Sequence, residues 1–154
     1  MADLLKVGDK APGFTLLDQD GREVQLSDLL SGTRAFLYFY PKADTPGCTT
    51  QACGLRDVLG DVGATAVVGV SPDPPARQAR FDAKYGLGFP LLSDPDHATA
   101  EAYGVWAEKS MYGKKYLGIV RSAFLVDERG TLAEVRYKVS PKDTVSRLLA
   151  AVAR

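Results

Sequence analysis

The chain is poor in the residues that most often announce a metal centre or a disulfide staple: two cysteines, one histidine and one tryptophan in 154 residues. Two cysteines five positions apart, Cys48 and Cys53, make no framework of the kind that holds small secreted domains together, so a disulfide between them would be chemical rather than structural. His97 follows the polar turn Ser93-Asp94-Pro95-Asp96 and reads as a solvated or helix-capping residue, without the closely spaced partners of a metal or copper site. Net charge is also missing, because 19 basic residues cancel 19 acidic ones, and with it the field that would hold nucleic acid or an anionic membrane. No stretch approaches the roughly 20 apolar residues of a membrane span, and residues 1–14 lack the apolar run of a signal peptide. The expectation is a soluble, cytoplasmic protein that makes no nucleic-acid or membrane contacts.

What is present fits a compact unit. With 45% hydrophobic and 25% charged residues and no repeat or linker, residues 1–154 are expected to form a single domain around a sizeable core. Residues 14–17 and 23–26 flank an Asp20-Gly21 turn and read as an opening hairpin. The run AFLYFY at 35–40 has no alternation, the pattern of a strand covered on both faces. A helix is expected over 48–62, a strand over 66–70, a helix over 74–85, a brief strand at 90–92 and a short helix at 98–103. Strands at 123–126 and 132–139 make a second hairpin, and Ser140, Pro141 and Asp143 open a terminal helix carrying Val145, Leu148, Leu149 and Val152. The order strand, helix, strand, helix predicts parallel pairing. Followed by a hairpin and a helix, it gives a thioredoxin-like α/β fold: a mixed central sheet, helices on both faces and an N-terminal β-hairpin.

The chemistry concentrates in Pro41 to Cys48, between the buried strand and a helix N-terminus, where sites form in open α/β sheets. Unpaired backbone N–H groups and the helix dipole favour a thiolate at Cys48, against the plainer reading of a small buried hydrophobe. The Thr45 hydroxyl, three residues upstream, could donate to sulfur or accept a peroxide proton, and could equally cap the helix. On a helical wheel Cys48 shares the line of Leu55 and Val62, whereas Cys53 points toward Arg56, Asp57 and Gly60, as a redox partner or a spectator thiol. Five helical steps put their Cα atoms roughly 8 to 9 Å apart, too far for a bridge, so joining them requires the helix to unwind. Complete ionisation of a thiol gains at most about 30-fold in rate at neutral pH. Fast peroxide reduction would need the remainder from alignment of the O–O bond with sulfur and from stabilisation of the departing negative oxygen, for which a fixed cation is the natural device. Arg121, at the start of the apolar strand, is the candidate, although position alone also suits a solvated arginine.

With these residues assembled, the sequence closely resembles the peroxiredoxins, specifically the bacterioferritin comigratory protein or peroxiredoxin Q group. The resemblance covers nearly the whole chain: GDKAPGFTLLDQDG at the start, PKADTPGCTTQAC with its Pro-x-x-x-Thr-x-x-Cys core, and GVWAEKSMYGKKYLGIVRSAFLVD. It implies Cys48 as the peroxidatic cysteine, Pro41 as the shield of the pocket, Thr45 as a hydrogen-bond partner of the peroxide, and Arg121 as the activating cation. It further implies Cys53 as a helix-borne resolving cysteine that forms an intramolecular disulfide. The implied substrates are hydrogen peroxide and organic hydroperoxides, the reductant thioredoxin or a similar dithiol, the assembly a monomer, and the cofactor requirement none. Ala123 departs from the threonine frequent at that place in the group. Two other functions compete: a general disulfide oxidoreductase, for which Cys-x-x-Cys spacing is expected, and a redox sensor or holdase. Lys109, Lys114 and Lys115, interleaved with Tyr112 and Tyr116, read as a solvated loop near the pocket.

Overall fold

The computed structural model describes residues 4–153, and the apolar run identified above is the axis on which the rest is hung. The chain opens with strands β1 (Thr15–Leu17) and β2 (Glu23–Gln25), paired antiparallel with Leu16 opposite Val24. Gly21 takes φ 77° in their turn, and the Asp18 carboxylate accepts from the N–H groups of Asp20 and Arg22. Leu26, expected to end the second strand, instead starts helix α1 (Leu26–Leu29), because the Asp28 carboxylate caps Gln25 N at 3.0 Å.

Strand β3 (Ala35–Phe39) follows, every residue of it buried. It leads into helix α2 (Pro46–Asp57), which ends earlier than expected, a 3-10 turn at Leu59–Asp61 replacing its last turn. Strand β4 (Ala66–Ser71) comes next, then helix α3 (Pro75–Tyr85), closed by Gly86 in the left-handed region at φ 57°. Strand β5 (Leu91–Ser93) and helix α4 (Ala98–Ala102) complete the parallel part.

Residues read as a solvated loop form two further strands, β6 (Trp106–Met111) and β7 (Lys114–Ile119). They pair only with each other, outside the main sheet, and turn on Tyr112 and Gly113, both at positive φ. The ribbon was hidden because most of it is solvated on both faces. Strand periodicity appears in a sequence only where one face is buried. Strands β8 (Ser122–Val126) and β9 (Leu132–Arg136) make the second hairpin, β9 ending three residues sooner than expected. Helix α5 (Pro141–Val152) begins as its sequence dictates: Pro141 occupies the first turn and Ser140 Oγ accepts from Asp143 N at 3.0 Å.

The seven-stranded sheet runs β2-β1-β5-β4-β3-β8-β9. Strands β3, β4 and β5 are mutually parallel and the outer pairings antiparallel, so the expected mixed, thioredoxin-like sheet is what forms. Strand alternation divides β3 between two cores. Phe36, Tyr38 and Tyr40 face Leu55 of α2, Phe81 of α3 and Leu148 of α5, while Ala35, Leu37 and Phe39 face Leu26, Ala100 and Tyr103. Helix α2 lies close on α5 because residue 54 is glycine: a Cβ there would stand 2.8 Å from Val145 Cγ2. Among the described residues, no helix is long and apolar enough to cross a membrane.

Candidate active site

The site grows from the junction of β3 and α2. Proline at position 41 ends the strand, and Pro46 starts the helix at a position where its missing N–H costs nothing. The first intrahelical bond runs from Thr49 N to Thr45 O at 2.8 Å, so the N–H groups of Gly47 and Cys48 precede the hydrogen-bonded ladder. Cys48 is 1% exposed, on the line of buried Leu55 as the wheel predicts; Val62, expected on the same line, lies beyond the end of α2 and is buried from the turn that follows it. Cys53 is half-buried on the same helix, against the edge of that core, and both thiols are free.

Arg121 reaches this sulfur from the neighbouring strand, because it precedes Ser122, which pairs with Phe39 at the end of β3 that leads to Cys48. It lies between β7 and β8, and its carbonyl accepts from Val139 N at 2.9 Å, which ties it to the segment leading into α5. Its Nη1 and Nη2 each stand 3.5 Å from Cys48 Sγ, so the guanidinium presents both prongs to one atom. Gly47 makes room: a Cβ there would stand 3.2 Å from Arg121 Nη2.

Two side chains absent from the sequence reading hold that fork. Gln51, one helical turn after Cys48 and fully buried, accepts from Arg121 Nη1 at 2.6 Å and donates through Nε2 to Thr144 Oγ1 at 2.8 Å. The Thr144 hydroxyl in turn donates to Ser140 O at 2.9 Å. The chain of bonds passes the position of α5 to the guanidinium. The signal lay in the sequence as an uncharged polar residue on the apolar line of α2, but its partner lies 93 positions away.

Thr45 stands at the N-cap of α2 without capping it. Its hydroxyl donates to Lys42 O at 2.8 Å, which commits the proton and leaves oxygen lone pairs to accept. Pro41 is half-buried at the same loop. Asp44, at φ 60°, clamps the loop to α3 by accepting from Lys84 Nζ and Tyr85 Oη, both at 2.9 Å. Those bonds, from Lys84 first and then Tyr85, hold its carboxyl below the ordinary range. Beneath the loop, Asp73 Oδ2 accepts from Ala43 N at 2.7 Å and from Ser71 Oγ at 2.7 Å.

The ribbon supplies a second cation. Lys109 Nζ donates to Ile119 O at 2.8 Å; burial pushes its ammonium below the ordinary range, the Arg121 charge adds to this, and Cys48 opposes it. Its neighbours Lys114 and Lys115 remain exposed, Lys115 beside Glu108. His97 takes no part: its ring stacks on Trp106 at 3.8 Å. Ala123 is buried beside the site, on β8 opposite Tyr38.

A family model described as the AhpC/TSA family matches residues 7–135. The chain is 53% identical over 141 residues to a putative peroxiredoxin bcp of Haemophilus influenzae, covering 90% of each chain. It is 52% identical over 133 residues to peroxiredoxin Bcp of Escherichia coli K12, covering 85% of each. Among solved structures, peroxidoxin BcpB from Mycobacterium tuberculosis superposes with a TM-score of 0.86 at 34% identity, covering 97% of both chains. A bacterioferritin comigratory protein from Xanthomonas campestris, described for its alkyl peroxide reduction activity, gives a TM-score of 0.83 at 37% identity, covering 91% of this chain and 90% of that one.

Proposed function

Because this chain belongs to the AhpC/TSA family, and within it to the bacterioferritin comigratory protein or peroxiredoxin Q group of thiol peroxidases, we propose that Cys48 attacks the hydroperoxide and that Cys53 then closes a disulfide with it. The single observation that carries the assignment is the forked approach of Arg121 to Cys48 Sγ, 3.5 Å from each terminal nitrogen. A cation so placed stabilises a negative sulfur and faces the oxygen that leaves when the O–O bond breaks. The peroxide sulfur bond forms at Cys48, the far oxygen departs with the bonding pair and takes a proton, and Cys48 is left as a sulfenic acid. Thr45, its own proton committed to Lys42 O, accepts from the peroxide and helps align it. Pro41 screens the sulfur from the solvent side.

Resolution needs a conformational step. Cys48 and Cys53 lie on one continuous helix, Pro46–Asp57, and its geometry sets their Cα atoms roughly 8 to 9 Å apart. Disulfides usually need less than about 7 Å, so the first turns of α2 open before the bond forms. Gly54, in the interior of α2, lowers its helix propensity by about 1 kcal/mol relative to alanine, which eases the opening. Hydrogen peroxide and organic hydroperoxides are the substrates that family membership supports, and thioredoxin or a similar dithiol protein the reductant.

The test is the second-order rate of Cys48 oxidation by hydrogen peroxide in wild type and Cys53→Ser, with products followed by mass. A fast reaction ending in a disulfide in wild type and a sulfenic acid in the variant is expected. A rate like that of a free thiol would remove the assignment.

A further inference from the structure

Tyr38 is the large polar side chain of the site that no step above uses. It is completely buried on β3, and its hydroxyl finds no hydrogen-bond partner among the described residues. The other deeply buried tyrosines are all satisfied: Tyr40 Oη donates to Gln78 and Tyr103 Oη to Pro12 O. A buried, unbonded hydroxyl costs about 1–3 kcal/mol, which phenylalanine would avoid, so the group calls for an explanation.

Its surroundings supply one. Tyr38 belongs to the core cluster that contains Cys48, Ala52 and Leu55 and against which Cys53 packs. The ring lies on Gly69 of β4, its register neighbour, where a Cβ would stand 3.0 Å from both Tyr38 Cζ and Oη. Tyr40 stacks on it at 5.4 Å and Phe89 meets it at 6.1 Å. The hydroxyl is thus fixed against Gly69, within the core that also holds Cys48. Burial pushes it well above its ordinary range, Tyr40, Cys48 and Cys53 push the same way, and Arg121 opposes them. The proton therefore stays on at neutral pH, and the group is a donor in search of an acceptor.

Neither thiol accepts from it in the reduced protein, but oxidation adds an oxygen to one of them. Resting on the reading that Cys53 resolves Cys48, we propose that Tyr38 donates to the oxygen of the Cys48 sulfenic acid as α2 opens, easing the departure of that oxygen. In that step Cys53 sulfur bonds to Cys48 sulfur and the S–O bond breaks. The oxygen leaves with the bonding pair and takes the Cys53 proton, and water is released. Tyr38 keeps its own proton throughout. It favours disulfide closure over a second oxidation without contributing to the first.

Single-turnover mass analysis of Tyr38→Phe tests this. Cys48 oxidation by one equivalent of hydrogen peroxide should proceed within twofold of the wild-type rate. Disulfide closure should be about tenfold slower, the loss of one hydrogen bond, and sulfinic acid at excess peroxide should rise correspondingly. Reduced Tyr38→Phe should unfold at the same or a higher urea concentration than reduced wild type. A disulfide that closes at the wild-type rate overturns the assignment of Tyr38 alone. A lowered urea midpoint does the same, since the hydroxyl would then be engaged before oxidation. Wild type that forms no disulfide overturns it together with the reading of Cys53.

Discussion

Replacing Arg121 by lysine keeps one positive charge and removes the fork. In the native site the guanidinium makes two contacts of 3.5 Å to Cys48 Sγ and one of 2.6 Å to Gln51 Oε1. An ammonium is a single point, so it reaches the sulfur or the amide but cannot bracket the sulfur while anchored to Gln51. One charge-assisted hydrogen bond is therefore lost from the reacting arrangement, worth about 1.5–3 kcal/mol. At 1.36 kcal/mol per decade this is roughly a 10- to 150-fold fall in rate. The assay is stopped-flow oxidation of reduced protein by hydrogen peroxide at pH 7, with Trp106 as the reporter and mass to confirm the product. Gln51→Leu is the companion variant: it leaves Arg121 in place but cuts its tie to Thr144, and should slow the same step by a smaller factor. An Arg121→Lys rate within threefold of wild type, in a protein of unchanged unfolding midpoint, would refute the fork as the source of activation.

Two further outcomes concern the scaffold. Gly54→Ala sets a methyl 2.8 Å from Val145 Cγ2. Overpacking of about 1–3 kcal/mol should outweigh the helix-propensity gain of about 1 kcal/mol, and urea denaturation should show a net loss that Val145→Ala, added to it, cancels in part. Additive single and double variants would show that no clash exists. Asp44→Asn keeps a side chain tolerant of φ 60° but removes the carboxylate bonded to Lys84 and Tyr85. The native carboxyl titrates below its ordinary value, so its contribution is complete above the unfolded carboxylate pKa and lost as pH falls through the folded one. The difference in thermal midpoint between wild type and Asp44→Asn should be largest near neutrality and shrink in acid. A pH-independent difference would dismiss the clamp as an electrostatic device.

How much of this was legible in the sequence depended on how local the cause was. AFLYFY reads as a strand covered on both faces because a continuous apolar run has nowhere else to go. Pro46 and Pro141 mark helix starts because the ring fixes φ whatever surrounds it. The line through Cys48 and Leu55 follows from helical period alone, and both are buried. The ribbon at Trp106–Ile119 was missed for the converse reason: Glu108, Ser110, Lys114 and Lys115 are exposed, so burial wrote no clear period into it.

The sequence by itself determined the setting of the proposed nucleophile: a cysteine near a helix N-terminus after a buried strand, followed within the same helix by a second cysteine too distant to bridge without unwinding. Those relations lie within the stretch from Ala35 to Cys53 and obey local geometry. Tertiary structure alone decided what meets that sulfur. Arg121 is 73 positions away and Thr144 is 93 from the glutamine it orients, and only the pairing of β3 with β8 and the packing of α5 on α2 bring them in. Periodicity can say which face of an element is buried. It cannot say which polar group from a distant element will be found there, because that choice is made by the register and packing of the whole sheet.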